Sequence, residues 1–511
     1  MRLTIKFITV ALLLSGWSAT AALPYGNEKG VQKTISETVG REPFSGSIAG
    51  VFAVRMNGDT IVDVNSRLRM VPASNMKLIT TGLALNELGG DFRFETSIAY
   101  TGTIVNGVLK GDLYIIGGGD PTTGSKSHYA EPLESLFAKW AAFLKESGIR
   151  SIEGRVIGDP RFFPAGTAQN AGWTYDDLGT NYGSGSTGLN FFENGQNFIV
   201  AAGPYAGSRP SVRISYPESP WLECINSAVT GEARSANTLF YVNSDFGPHA
   251  EIRGSFPADR KGGYLLEGSN RFGAFTCAYY FWKYLKNKGI STDGYGDVSP
   301  AGLIRMVPGL SDTGNVAASD ADLHVIGTTY SPTLAQIAAD TNCDSNNFYA
   351  ETLFKMMSLK RRGSVEYDVC QRVADEILSS VGIRNGKQVQ IFDGSGLSRK
   401  NYVSPSFFVR FLRAMAMTPE YENYFNSLPV PGGEGTLKGR FPKASQSFKS
   451  RIHMKSGSMN GVRGYSGYIL SEDGNPENTI VFSIIFNNLT SSSWAVSPAI
   501  DHLIELIAAE N

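Results

Sequence analysis

The sequence predicts an α/β (α+β) domain interrupted by a large, mainly β insertion of two lobes. Three observations carry that expectation. The chain opens on two strand-like runs and a helix, it closes on three strand-like runs and a helix, and the stretch between has a different texture. Strands flanked by helices at both ends can share one sheet, which sets the two ends of the chain side by side. The expected division is 22–89 with 321–511 for the discontinuous domain, and 90–320 for the insertion.

At the start, Val51 to Met56 and Thr60 to Val64 are rich in β-branched and apolar residues. Asn57-Gly58 stands between them, a dipeptide that favours tight hairpin turns. After Pro72, Leu78, Gly82, Leu85 and Leu88 recur at helical spacing until Gly89-Gly90 stops the run. At the other end, His453 to Lys455, Tyr465 to Leu470 and Thr479 to Phe486 read as strands. The run Asp473-Gly474-Asn475-Pro476 makes a loop between the last two. Pro498 is expected to open a closing helix with Ile500, Leu503, Ile504 and Ile507 along one face. In the middle, short alternating segments such as Arg93 to Tyr100, Val108 to Ile116 and Arg155 to Gly158 are punctuated by turns such as Gly117-Gly118-Gly119-Asp120-Pro121.

Residues 1–21 read as a cleavable export signal. Arg2 and Lys6 give a positive start, Phe7 to Leu14 an apolar run, and Ala19-Thr20-Ala21 a small-residue cleavage site. The run is shorter than the roughly 20 residues a bilayer requires, and no cysteine follows it to carry a lipid. With 46 Lys+Arg against 47 Asp+Glu, and two cations lost on cleavage, the mature chain is mildly acidic. That argues against nucleic acid as a partner. Export permits disulfides, and Cys224, Cys277, Cys343 and Cys370 allow three connectivities. The expected pairs are 224–277 and 343–370, each within one stretch of chain, with free buried thiols as the equal alternative.

Three short motifs carry chemistry. Ser74-Asn75-Met76-Lys77 comes first, Ser345-Asn346-Asn347 much later, and Lys455-Ser456-Gly457 after that. Serine is a weak nucleophile until a base stands beside it. At a helix start, residues three apart share a face, so Lys77 can reach Ser74. A lysine serves as base only when burial or a second cation lowers its pKa, and Lys455 can be that cation. Ser345 could pass a proton between Lys77 and a leaving amine, while Asn347 fixes Lys77 and donates to a substrate carbonyl. Lys455, with the hydroxyl of Ser456, could grip a terminal carboxylate from an edge strand. The N–H groups of Ser74 and Ser458 would form an oxyanion hole. No histidine pair at metal-ligand spacing and no Gly-x-Ser-x-Gly elbow offers a rival site, so no metal or cofactor is expected.

On these motifs the chain resembles the D-alanyl-D-alanine carboxypeptidase/endopeptidases of the penicillin-binding protein 4 type, peptidase family S13. The resemblance spans nearly the whole mature chain. It rests on Pro72-Ala73-Ser74-Asn75-Met76-Lys77, Ser345-Asn346-Asn347-Phe348-Tyr349-Ala350-Glu351, Asp393-Gly394-Ser395-Gly396-Leu397-Ser398-Arg399, Gly433-Glu434-Gly435-Thr436-Leu437 and Lys455-Ser456-Gly457-Ser458. Two departures are small: Asn346 stands where the family has Asp or Asn, and Ser456 where it usually has Thr. The resemblance implies a serine β-lactamase/transpeptidase-like fold, peptidoglycan stem peptides as substrates, β-lactam antibiotics as covalent inhibitors, and a periplasmic location. It also implies that Arg399, Asn460 and Asp159 line a pocket for the peptide side chain, with Asp159 receiving the amine of a diamino acid.

Two other readings compete. A β-lactamase would need a deacylating carboxylate, commonly in Glu-x-x-Leu-Asn, and none is present. A non-catalytic wall-binding or β-lactam-sensing protein would have no use for Lys77 beside Ser74. Peripheral membrane association and the oligomeric state are left open by the sequence.

Overall fold

The computed structural model describes residues 30–164, 168–244, 247–298, 304–305 and 316–510. The expected export signal, 1–21, lies outside the described residues.

The two ends of the chain meet in one antiparallel five-stranded sheet, in the order Thr60–Val64, Ile48–Arg55, Ile480–Asn487, Val462–Ile469, Ile452–Met459. Val51 stands opposite Ile484, and Lys455 opposite Ser466. The central strand Ile480–Asn487 is buried at all eight positions because both faces are covered. Alternation sorts its side chains. Ile480, Phe482, Ile484 and Phe486 join a core with Ile500, Leu503, Ile504 and Ile507 of the last helix. Val481 and Ile485 face the other core, with Phe407, Phe411 and Leu412 of the helix Pro405–Met415 and Leu78, Ile79 and Leu83 of the helix Met76–Leu88.

The closing helix does not open at Pro498. It spans Ser493–Ala508 with Pro498 inside it. The hydroxyl of Ser492 accepts the N–H of Ala495 at 3.4 Å, and buried Val496 anchors the first turn. A polar cap with an apolar anchor starts the helix before the proline is reached.

Between the chain ends, further strands gather around two main cores, a larger and a smaller lobe. The larger holds a six-stranded sheet, ordered Ile304–Arg305, Gly294–Val298, Arg155–Asp159, Leu113–Gly117, Glu95–Tyr100, His324–Tyr330. Its last strand runs past the expected boundary at 320. Two helices, Leu133–Glu146 and Gly273–Asn287, pack on this sheet through Phe137, Trp140, Phe281 and Leu285, so this lobe is less purely β than expected. The smaller lobe closes strands such as Gly195–Ala201, Tyr264–Ser269 and His249–Arg253 over Phe198, Val200, Tyr241 and Ile252.

All four cysteines are free, so the pairs 224–277 and 343–370 do not form. Cys277 is buried in the larger lobe's core, whereas Cys224 packs against the smaller lobe's. Cys370 is sealed in the core beneath the helix Met76–Leu88, and Cys343 instead faces the backbone oxygen of Glu434 at 3.4 Å. Among the described residues no helix is long and apolar enough to cross a membrane.

Candidate active site

Ser74 lies in the 3-10 turn Ala73–Asn75 that leads into the helix Met76–Leu88. The turn is held from two sides by glycines. A Cβ on Gly396, whose φ is +85°, would sit 1.9 Å from the carbonyl oxygen of Ala73. A Cβ on Gly457 would meet the carbonyl oxygen of Pro72 at 2.6 Å. The loop Asp393–Arg399 and the edge strand Ile452–Met459 therefore press on the serine's turn as closely as backbone allows.

The same loop is tied down by Asp393. Its carboxylate accepts the N–H groups of Gly396 (2.8 Å) and Ser398 (2.6 Å), the amide of Asn401 (2.7 Å) and the indole N–H of Trp173 (2.9 Å). The last bond comes from the insertion. A second buried carboxyl, Glu351, accepts the N–H of Ser395 at 2.7 Å. Burial drives its pKa up and that of nearby Lys355 down.

Lys77 is wholly buried and donates three bonds: to Ser74 Oγ (2.9 Å), Asn347 Oδ1 (2.6 Å) and the backbone oxygen of Ser395 (2.8 Å). Burial lowers its pKa to about 7, with Asp393 and Glu351 pulling the other way. A substantial neutral fraction near neutral pH is what a general base needs. Lys455 is also fully buried, and its Nζ donates to the backbone oxygen of Ser456 at 2.8 Å. Burial first and the neighbouring Lys77 second hold its pKa well below the ordinary value.

Asn347 is shared between Lys77 and the insertion, since its Nδ2 donates to the carbonyl of Tyr182 at 3.0 Å. Ser345 is not among the partners of Lys77. It lines the adjoining recess, together with Asn346 and Asn347. Ser456 donates to the hydroxyl of Thr436 at 3.0 Å, which brings the Gly433–Leu437 stretch to the third motif.

Ser74, Asn347, Arg399, Ser458 and Asn460 line one cleft of about 440 Å³. Arg399 donates to the backbone oxygen of Asn460 at 3.1 Å, which joins the two across the rim. Asp159 is not in this cleft. Its carboxylate is buried against Arg161 at 2.6 Å and also accepts that residue's N–H at 3.0 Å. An acid so paired at the end of an internal strand has no face left for a ligand. The acids that do line the cleft are Asp176 and Asp177, on the short helix Tyr175–Leu178. The available signal was the acidic pair Asp176-Asp177, shortly after Trp173, in a stretch without periodicity.

A serine with a lysine of lowered pKa one turn away and a second buried lysine beside it, set where a helix start meets a sheet edge, is the arrangement of an acylating serine enzyme. The chain belongs to the D-Ala-D-Ala carboxypeptidase 3 (S13) family, whose profile matches residues 31–510, and it is a serine peptidase acting on peptidoglycan. It is 30% identical to the D-alanyl-D-alanine carboxypeptidase of Actinomadura sp. (strain R39) over 86% of this chain and 78% of that one. The crystal structure of penicillin binding protein 4 (dacB) from Haemophilus influenzae superposes with a TM-score of 0.75 at 22% identity, over 93% of this chain and 99% of that one. The same protein complexed with a β-lactam gives 0.69 at 21% identity, over 93% and 98%.

Proposed function

We propose that Ser74 forms the acyl-enzyme, with Lys77 as its base, in both carboxypeptidase and endopeptidase cleavage of D-Ala-terminated stem peptides. The observation that carries this is the 2.9 Å bond from Lys77 to Ser74 Oγ on a lysine whose pKa is lowered to about 7.

Neutral Lys77 takes the hydroxyl proton as Ser74 Oγ attacks the penultimate D-Ala carbonyl. The oxyanion is held by the N–H groups of Ser74 and Ser458. As the C–N bond breaks, the proton passes from Lys77 to the leaving amine. The product is D-Ala or, from a cross-link, the amine of a diamino acid. Water then attacks the ester and restores Ser74. Buried Lys455 donates to one neutral oxygen and retains N–H capacity for an anion, which suits the substrate's terminal carboxylate, with Ser456 beside it. A β-lactam amide enters by the same attack, and its opened ring stays tethered to the ester.

The side-chain pocket lies between Arg399 and Asp176. Asp177 already accepts the Thr174 hydroxyl at 2.6 Å, so Asp176 is the better partner for the amine of a diamino acid. Export to the periplasm fits the residue 1–21 signal and the substrate. In the test, mature protein is incubated with a fluorescent penicillin and the label is located by mass. Label on Ser74, lost in Ser74→Ala, is expected; label elsewhere sinks the proposal. Offering pentapeptide and cross-linked dimer side by side then reads the two activities, and an uncut dimer removes the endopeptidase half.

A further inference from the structure

The insertion reaches the second motif through one carboxylate, and the backbone that delivers it is unusual. Phe192, Glu193 and Asn194 have φ values of 51°, 53° and 48°. Three successive L-residues in the left-handed region are disfavoured and persist only where surroundings fix them. Asn194 supplies that fixing. Its side chain accepts the N–H of Phe191 at 3.1 Å and donates to the carbonyl of Gly185 at 2.9 Å.

The turn aims Glu193 at the Asp344–Asn346 corner. One carboxylate oxygen accepts Asn346 Nδ2 at 3.0 Å, and the other accepts the Ser125 hydroxyl at 2.6 Å. The opposite end of the same amide caps the helix Asn347–Arg362, with Asn346 Oδ1 accepting the N–H of Tyr349 at 3.0 Å. Both ends of Asn346 are therefore committed, one to the helix and one to the insertion. On either side of it sit Ser345, itself left-handed with φ 60°, and Asn347, which holds Lys77 at 2.6 Å.

We propose that Glu193 is a positioning residue for the second motif, acting through Asn346 to hold Ser345 and Asn347 in register with Lys77. This rests on the acyl-enzyme reading above. The chemistry of the pair is directional. Burial already pushes the Glu193 carboxyl up, and the nearby carboxylates Asp344 and Glu267 push it further, while the cation Lys126 lies over the Phe192 ring at 5.4 Å from its centroid. In that setting Glu193 requires a donor across from it. Asparagine at 346 donates to Glu193 and caps the helix; aspartate could cap equally well but would set two carboxylates face to face.

The test uses the full chain and three variants: Asn346→Asp, Glu193→Gln, and the two combined. The readouts are the second-order rate of acylation by a fluorescent penicillin, the extent of Ser74 labelling by mass, and Tm. Asn346→Asp is expected to label Ser74 completely but about tenfold more slowly. The double variant is expected to return to within about threefold of the unmodified rate, because glutamine at 193 can donate to aspartate at 346 and still accept from Ser125. A merely structural pair would move Tm without this rate rescue. A double variant no faster than Asn346→Asp, or an undiminished rate in Asn346→Asp, overturns the proposal. Should Asn346→Asp not fold, Glu193→Ala, which leaves the cap in place, decides by the same rate: about fivefold slower supports the proposal, and unchanged refutes it. Failure to label Ser74 in the unmodified protein would instead refute the acyl-enzyme reading itself.

Discussion

The two walls of the cleft are made in opposite ways. The wall around Ser74 is regular: a helix start and a loop closed on Asp393, set against an edge strand of the sheet that joins the chain ends. The facing wall is irregular, a run of short turns from Trp173 to Asn194 supplied by the insertion. The regular wall carries groups whose mutual distances must not change, such as the 2.9 Å and 2.6 Å bonds of Lys77. The irregular wall carries Asp176 and Tyr182, which can change without moving the nucleophile. On the proposed mechanism, chemistry is built into the scaffold and selectivity laid on loops.

That contrast can be broken by experiment. Ser74→Ala should abolish penicillin labelling and lower peptide cleavage by about a thousandfold or more, measured by D-Ala release. The rate of acylation should fall about tenfold for each pH unit below about 7, since only neutral Lys77 can take the proton, and should level off above that value. A rate that rises as pH falls would remove Lys77 as the base. Gly396→Ala must displace either its own loop or Ala73, and is expected to cost about 3 kcal/mol of stability by denaturant unfolding. Across the cleft, Asp176→Asn should lower kcat/KM for an amine-bearing stem peptide about tenfold while leaving penicillin acylation alone. Asp159→Asn should weaken folding by roughly 2 kcal/mol through the loss of Arg161's partner, with selectivity unchanged. Equal effects of the two aspartates on selectivity would erase the distinction drawn here.

The same contrast explains what the sequence revealed. Ser74 and Lys77 are legible because a helix turn sets their spacing, and Lys455 because it opens a Lys-Ser-Gly motif on a strand-like run. The sheet joining the chain ends is legible from apolar, β-branched runs set off by turn signals, as Val51 to Met56 before Asn57-Gly58 shows. Asp176 is not, because a loop residue has no period and its approach to Arg399 is decided by packing far along the chain. Asp159 enters through the family resemblance, yet Arg161 two residues away claims its carboxylate. The helix Gly273–Asn287 was obscured because its faces are divided between sheet, helix and the aromatic cluster around Tyr279. The cysteines were grouped by nearness in sequence, while the fold sorts them by core.

The pairing of Ile48–Arg55 with Ile480–Asn487 has a consequence for how the protein comes into being. A strand emitted near the beginning waits for a partner emitted near the end. Until then, Ile48–Arg55 has its hairpin neighbour on one side only. The smaller lobe, whose strands Gly195–Ala201, His249–Arg253 and Tyr264–Ser269 pair within their own stretch, is under no such delay. During synthesis that lobe can thus be shaped while the wall around Ser74 is still open. A chain cut short by its last few dozen residues would carry every residue of Ser74's own motif and have no sheet to set it in. Activity thereby reports completion of the chain, and a half-made hydrolase is an inert one.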